Sequence, residues 1–159
     1  MQNTDLVLDT PQILDLPAFK VARIHVTTPA SEIRSAMHAG LNELRGALAD
    51  QEIEPTGPWF THHLRMPGQT FDFEVCLPVL VEVKPQGRVA MGEIRAARTA
   101  RTTYRGDYDR LGEAWGHFMQ WISSQGVTPA PDLWEVYVVS TDASSNPCDW
   151  QTQLNRPLL

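Results

Sequence analysis

Two cysteines in 159 residues are too few for a disulfide framework. Cys76 sits in the apolar run FEVCLPV and Cys148 in the turn SNPC. Both read as reduced thiols, so a reducing, cytosolic setting is expected. Basic charge is scarce as well: 13 Lys and Arg against 19 Asp and Glu leave a net charge of −6 and a pI near 5.3. That is the wrong sign for a dedicated nucleic-acid binder. No run of about 18 uncharged apolar residues is present to span a bilayer. The opening MQNTDLVLDT lacks the positive start and apolar core of a secretory signal, and nothing ahead of Pro11 could form a helix-turn-helix. The histidines (His25, His38, His62, His63 and His117) show neither His-x-x-x-His nor Cys-x-x-Cys spacing, so no metal is expected. Glycine-rich phosphate cradles and nucleophile elbows are missing too, and no cofactor is expected. What is present is 42% hydrophobic residues, enough to bury the core of a single domain over residues 1–159.

That domain reads as one unit written twice, over about residues 11–80 and 88–159. VARIHVTT, from Val21 to Thr28, aligns with AARTARTT, from Ala96 to Thr103, pairing Ala22 with Ala97 and Arg23 with Arg98. Each is followed by a one-faced amphipathic helix. The first, about Ser31 to Asp50, carries Ile33, Met37, Leu41, Leu44 and Leu48. The second, about Asp107 to Ser124, carries Tyr108, Leu111, Trp115, Phe118 and Ile122. Proline turns, IEPTGP and GVTPAP, end the helices. Pairs of strands follow: WFTHHL and FDFEVCLPV in the first half, LWEVYVV and DWQTQL in the second. The intervening segments RMPGQT and STDASSNP read as turns, and Pro-Gln-Gly between the halves as a hairpin. Neither half can bury both a helix face and a sheet alone. The expected fold is α+β: tandem strand-helix-strand-strand modules joined into one curved antiparallel sheet with two long helices.

Within LWEVYVV, strand alternation places Leu133, Glu135, Tyr137 and Val139 on one face and Trp134, Val136 and Val138 on the other. Both faces read as covered. An acid on a covered face must be paired, neutralised or used, because burial penalises its charge. A salt-bridged or edge-exposed Glu135 and a functional one both satisfy the pattern.

TTYRGDYDRLGEAWGHFMQWISSQG, through Gly106, Tyr108, Leu111, Trp121 and Gly126, resembles the second helix start of GyrI-like proteins, the bacterial AraC-type effector-binding domains. TGPWF, DFEVCLPV, WEVYV and TQLNRPL are similar to further strands of that family in the same order. One departure is Asp107, where the family often has proline; aspartate is itself a good helix-start residue. The resemblance covers about Pro11 to Leu158. It implies a ligand cavity for bulky, flat, often cationic molecules, with Glu135 in the position of the buried acidic anchor.

A buried carboxylate among aromatic rings suits a delocalised cation, since charge and ring quadrupoles act together. Glu135, Tyr137, Phe60, Tyr108, Trp115 and Trp150 fall on elements expected to line that cavity, and His62 or His63 could touch it. Trp115 also lies on a helix's apolar stripe and reads equally as core. The same Glu135, its pKa raised by burial, could act as a general base; some proteins of the resembled family hydrolyse cyclopropane-bearing alkylating compounds. Three functions follow: a small-molecule receptor for sequestration or sensing, a hydrolase, or a regulator of another protein such as a topoisomerase. The six arginines from Arg88 to Arg110 could serve that last role, or form a solvated face answering nearby acids.

Overall fold

The computed structural model describes residues 6–65, 68–140 and 143–159. Parts of the opening segment and of the turns RMPGQT and STDASSNP lie outside the described residues. The elements run β1 (Val7–Leu8), β2 (Gln12–Leu16), β3 (Phe19–Pro29), α1 (Ile33–Asp50), β4 (Phe60–His63), β5 (Thr70–Pro78), β6 (Ala90–Ile94), β7 (Ala97–Arg105), α2 (Leu111–Ser124), β8 (Leu133–Val139) and β9 (Gln151–Pro157). β3-α1-β4-β5 and β7-α2-β8-β9 are the two modules. Their strands form one curled antiparallel sheet in the order β1-β7-β9-β8-β4-β5-β3-β6, with β2 also on β7. The modules meet at β4 and β8, where Thr61 is paired with Glu135 and His63 with Leu133. β1, β2 and β6 are additions at the sheet's ends that the periodicity did not reveal, being too short or too irregular to show alternation.

Each helix forms where its apolar stripe can be buried. Leu41, Leu44 and Leu48 of α1 pack with Ile24, Phe73 and Val75 of the sheet, and Gly40 lets the helix come close, since a Cβ there would meet Val75 Cγ2 at 3.2 Å. In α2, Trp115, Phe118 and Ile122 pack with Ala100, Leu133 and Leu154. Asp107 starts the second helical segment by accepting the Asp109 backbone N–H at 3.1 Å, as a capping aspartate should. Gly126, at a φ of +70°, lets the chain leave α2 in a left-handed conformation. The hairpin between the halves closes with Gln86 and Val89 exchanging backbone hydrogen bonds.

The internal repeat is real as a layout, but its residue alignment slips. Ala22 lies in the core beneath α1, and the residue holding that place beneath α2 is Ala100, not Ala97, which is only half-buried. From Ala97 to Ala100 is three residues. An odd slip in a strand turns every side chain to the opposite face, so matching short Ala, Arg and Thr runs by identity misaligned the strands.

The sheet's other face carries a separate apolar cluster of Val21, Phe60, Cys76, Ile94, Trp134 and Val136. Both faces of β8 are therefore covered from Leu133 to Tyr137. A register shift after Tyr137 breaks the alternation, and Val138 is exposed rather than buried as the simple pattern required. Most of the six arginines answer acids nearby: Arg88 with Glu43, Arg95 with Asp132, Arg105 with Asp9 and Arg110 with Glu113.

Candidate functional site

A cavity of about 820 Å³ lies where the β4–β8 seam meets the starts of both helices. That volume is in the range of small-molecule sites, about 300–1,000 Å³. The module arrangement explains its position. α1 contributes Ile33, Met37 and Leu41, the α2 segment contributes Tyr108, Leu111 and Trp115, and the seam supplies the floor.

Glu135 stands on that floor, 8% exposed. Its Oε2 accepts the Trp115 indole N–H at 2.6 Å and its Oε1 the Tyr137 hydroxyl at 3.0 Å. Among the described residues no Arg or Lys forms an ion pair with it, and His63 Nε2 stands 4.0 Å from Oε1. Burial raises the carboxyl pKa, and the two donated hydrogen bonds offset that only in part. Burial likewise pushes the Tyr137 hydroxyl well up, and the adjacent Glu135 charge adds to the effect. His63 is held neutral, its pKa lowered to about 4 by burial and by the neighbouring His62. The anchor is thus a carboxylate served by neutral donors, with its charge left uncompensated by any Arg or Lys side chain among the described residues.

Aromatic rings run beside it. Trp59 packs on Tyr137 at 4.3 Å between centroids, Tyr137 meets Tyr108 edge-on at 6.2 Å, and Tyr108 stacks on Trp150 at 4.8 Å with an interplanar angle of 20°. His63 is clamped by Phe73, stacked at 5.2 Å, and by the edge of Phe71 at 5.8 Å. Such a wall offers flat faces rather than a polar lattice.

Of the residues singled out from the sequence, Glu135, Tyr137, Tyr108, Trp115 and Trp150 line this cavity. Phe60 and His62 do not. They have the opposite strand parity to Thr61 and His63, and so face the other side of the sheet. Phe60 packs against Phe19 and Trp134. His62 sits between two acids, its Nδ1 3.2 Å from Glu74 and its Nε2 2.8 Å from Asp132. Arg23 bonds Glu74 and Arg95 forks onto Asp132 at 2.7 and 3.0 Å, completing a chain of charges. Burial opposes the charge on His62, but its hydrogen bonds to Asp132 and Glu74 prevail and raise its pKa. Asp132 is held far below the usual carboxylate range because its hydrogen bonds to His62 and Arg95 outweigh its burial.

The sequence reading missed Trp59, Met37 and Phe71, and left His63 open. The pairing of β4 with β8 was the signal that could have found His63: once Glu135 faces inward, its partner Thr61 and the residue two beyond must do so too.

No curated protein matches the chain by sequence. Among solved structures, the C-terminal domain of EcmrR matches with a TM-score of 0.81 at 20% identity, over 94% of this chain and 97% of that domain. The chain spans only 57% of the EcmrR chain seen in its DNA complex. SAV2435 bound to tetraphenylphosphonium matches with a TM-score of 0.69 at 10% identity, over 95% of this chain and 94% of that one. A hydrolase encoded by lin2189 from Listeria innocua matches at 0.68 and 10%, over 94% and 91%. These likenesses are of fold. The model of the GyrI-like small molecule binding domain matches residues 9–154, nearly the whole chain, and the protein belongs to that family.

Proposed function

We propose that the cavity captures a bulky or planar aromatic cation, with Glu135 as counter-charge and Trp59, Tyr108, Tyr137 and Trp150 as walls. The carrying observation is the buried carboxylate that takes hydrogen bonds from Trp115 and Tyr137 and has no Arg or Lys partner among the described residues. A delocalised cation supplies the missing charge and, unlike a small ion, loses little hydration on entering an apolar hollow. The role is sequestration or sensing in the cytosol. The tetraphenylphosphonium held by SAV2435, a protein of similar fold, is a ligand of this chemistry and supports the reading. Quenching of tryptophan fluorescence by tetraphenylphosphonium tests it. Saturable binding to the wild type, weakened at least about tenfold in Glu135→Gln, is expected, a change of about 1.4 kcal/mol. Equal affinity in the two proteins would remove the proposal.

A second reading draws on the raised pKa of Glu135. A carboxylate poised toward neutrality beside a cavity can take a proton from water, as a general base for hydrolysis of a strained electrophilic ligand. The Listeria hydrolase of similar fold supports it. Mass spectrometry of cyclopropane-bearing alkylators incubated with the protein separates the two: turnover yields a water adduct lost in Glu135→Gln, whereas binding yields none.

A further inference from the structure

We propose that Thr61 and His63 are positioning residues for the anchor: with Tyr137 they form a one-directional wire of hydrogen bonds ending on Glu135, so that the charge of Glu135 and the tautomer of His63 change together. This deepens the receptor reading and rests on it for its effect on binding, though its geometry stands alone.

The wire crosses the seam between the modules. His63 Nε2 lies 3.2 Å from Thr61 Oγ1, Thr61 Oγ1 lies 2.8 Å from the Tyr137 hydroxyl, and that hydroxyl lies 3.0 Å from Glu135 Oε1. All four side chains are buried, with relative exposures of 4%, 0%, 5% and 8% in that order. Thr61, the central link, is wholly out of reach of bulk solvent.

Counting hydrogens sets the direction. An ionised Glu135 can only accept, so Tyr137 spends its one hydroxyl hydrogen on it. The Tyr137 oxygen then accepts from Thr61, and the Thr61 oxygen from His63. His63 must carry its hydrogen on Nε2 and leave Nδ1 bare. Nδ1 is indeed a buried nitrogen without a hydrogen-bond partner among the described residues. Held between Phe71 and Phe73, the ring presents Nε2 to Thr61.

Protonation of Glu135 reverses every link. One proton is taken up at Nδ1, the Nε2 proton passes to Thr61, the Thr61 proton to Tyr137 and the Tyr137 proton to Glu135. The balance is one proton bound, a neutral Glu135 and an Nδ1–H histidine whose donor is buried without an acceptor. Leaving such a donor unpaired is unfavourable, so the wire biases Glu135 toward its ionised, cation-binding state. The other titratable or charged groups lining the cavity are Tyr108, Arg34, His38, Arg45, Asp107 and Asp109. Arg34 pairs with Asp109 at 3.5 Å, where both are well exposed, away from this buried chain.

Long-range proton–nitrogen correlation spectra of histidine-labelled protein at neutral pH test the wire. Wild-type His63 is expected as the Nε2–H tautomer. In Glu135→Gln the amide oxygen must take the Trp115 N–H, so the amide NH2 faces Tyr137 and donates; His63 is then expected as Nδ1–H. With Thr61→Val also present, the Glu135→Gln change should no longer reach His63. The same tautomer in wild type and Glu135→Gln overturns the proposal, as does a tautomer change that persists through Thr61→Val. A pH titration of the wild type supplies the same readout without substitution at the anchor: the His63 tautomer should change as Glu135 takes up its proton, and an unchanged tautomer overturns the proposal. For binding, Thr61→Val should weaken tetraphenylphosphonium about three- to tenfold, the effect of one hydrogen bond, and Thr61→Ser should restore it. Tetraphenylphosphonium that fails to bind the wild type removes the receptor reading, while the spectra still decide the wire.

Discussion

Trp115 donates its indole N–H to Glu135 Oε2 at 2.6 Å, tying α2 to the strand at the module seam. The ring belongs to the helix's apolar stripe and to the cavity wall at once. Core packing and anchor chemistry are therefore not alternatives at this position. Trp115→Phe keeps the ring and removes the donor. The Glu135 carboxylate is then less favoured, its pKa rises further, and the pH midpoint of cation binding should move upward. Affinity measured across a pH series checks this, and an unmoved midpoint contradicts it.

Glu135 is held against its own desolvation, so neutralising it should not harm the fold. Its folded pKa lies above the unfolded value, so its neutral form favours folding; that contribution is full below the unfolded pKa and is lost as pH rises through the folded pKa and the buried group ionises. Glu135→Gln removes this dependence. Its melting temperature is expected to equal or exceed that of the wild type, with the difference larger at pH 8 than at pH 5. Loss of several kcal/mol on substitution would instead identify a structural ion pair.

His62, read from the sequence as a cavity candidate, is the hinge pin of a charge chain on the opposite face. Its raised pKa contributes stability that is full below about 6.5 and fades as pH rises through the folded value. Glu74 and Asp132, with lowered values, contribute above the ordinary carboxylate range and lose that contribution as pH falls through their folded pKa. The chain is thus complete at mildly acidic pH. His62→Phe should destabilise by about 3 kcal/mol there, the low end for a broken buried pair because Arg23 and Arg95 are half-exposed. Denaturant melts at pH 6 and pH 9 should show a smaller difference at the higher pH.

Phe60 and Tyr108 separate stability from binding. Phe60 is fully buried on the face away from the cavity, and Phe60→Leu, which shortens it without emptying the site, should lower stability by about 1 kcal/mol and leave cation affinity unchanged. Tyr108→Ala removes a half-buried wall ring and should reduce affinity severalfold with a smaller effect on the melt. Paired titration and melting curves check both; affinity lost in Phe60→Leu would contradict the face assignment.

Local chemistry made much of this molecule readable in advance. Apolar residues three and four apart dictate α1 and α2, alternation holds in β8 from Leu133 to Tyr137, and Asp107 and Gly126 mark the limits of the second helical segment. An acid enclosed in LWEVYVV already signals a group that must be satisfied or used, because desolvation acts on any buried charge. Partners distant along the chain were decided elsewhere. Trp115 and Tyr137 as donors to Glu135, Thr61 opposite it and Phe60 turned away all follow from how β4 meets β8 and how α2 lies across them. Strand register has a period of two, so a slip of one residue reverses every assignment, and no short segment holds the information to exclude it. Only the assembled sheet, with both helix stripes buried against it, selects the single register that leaves Glu135 in a hollow and His62 in a charge chain.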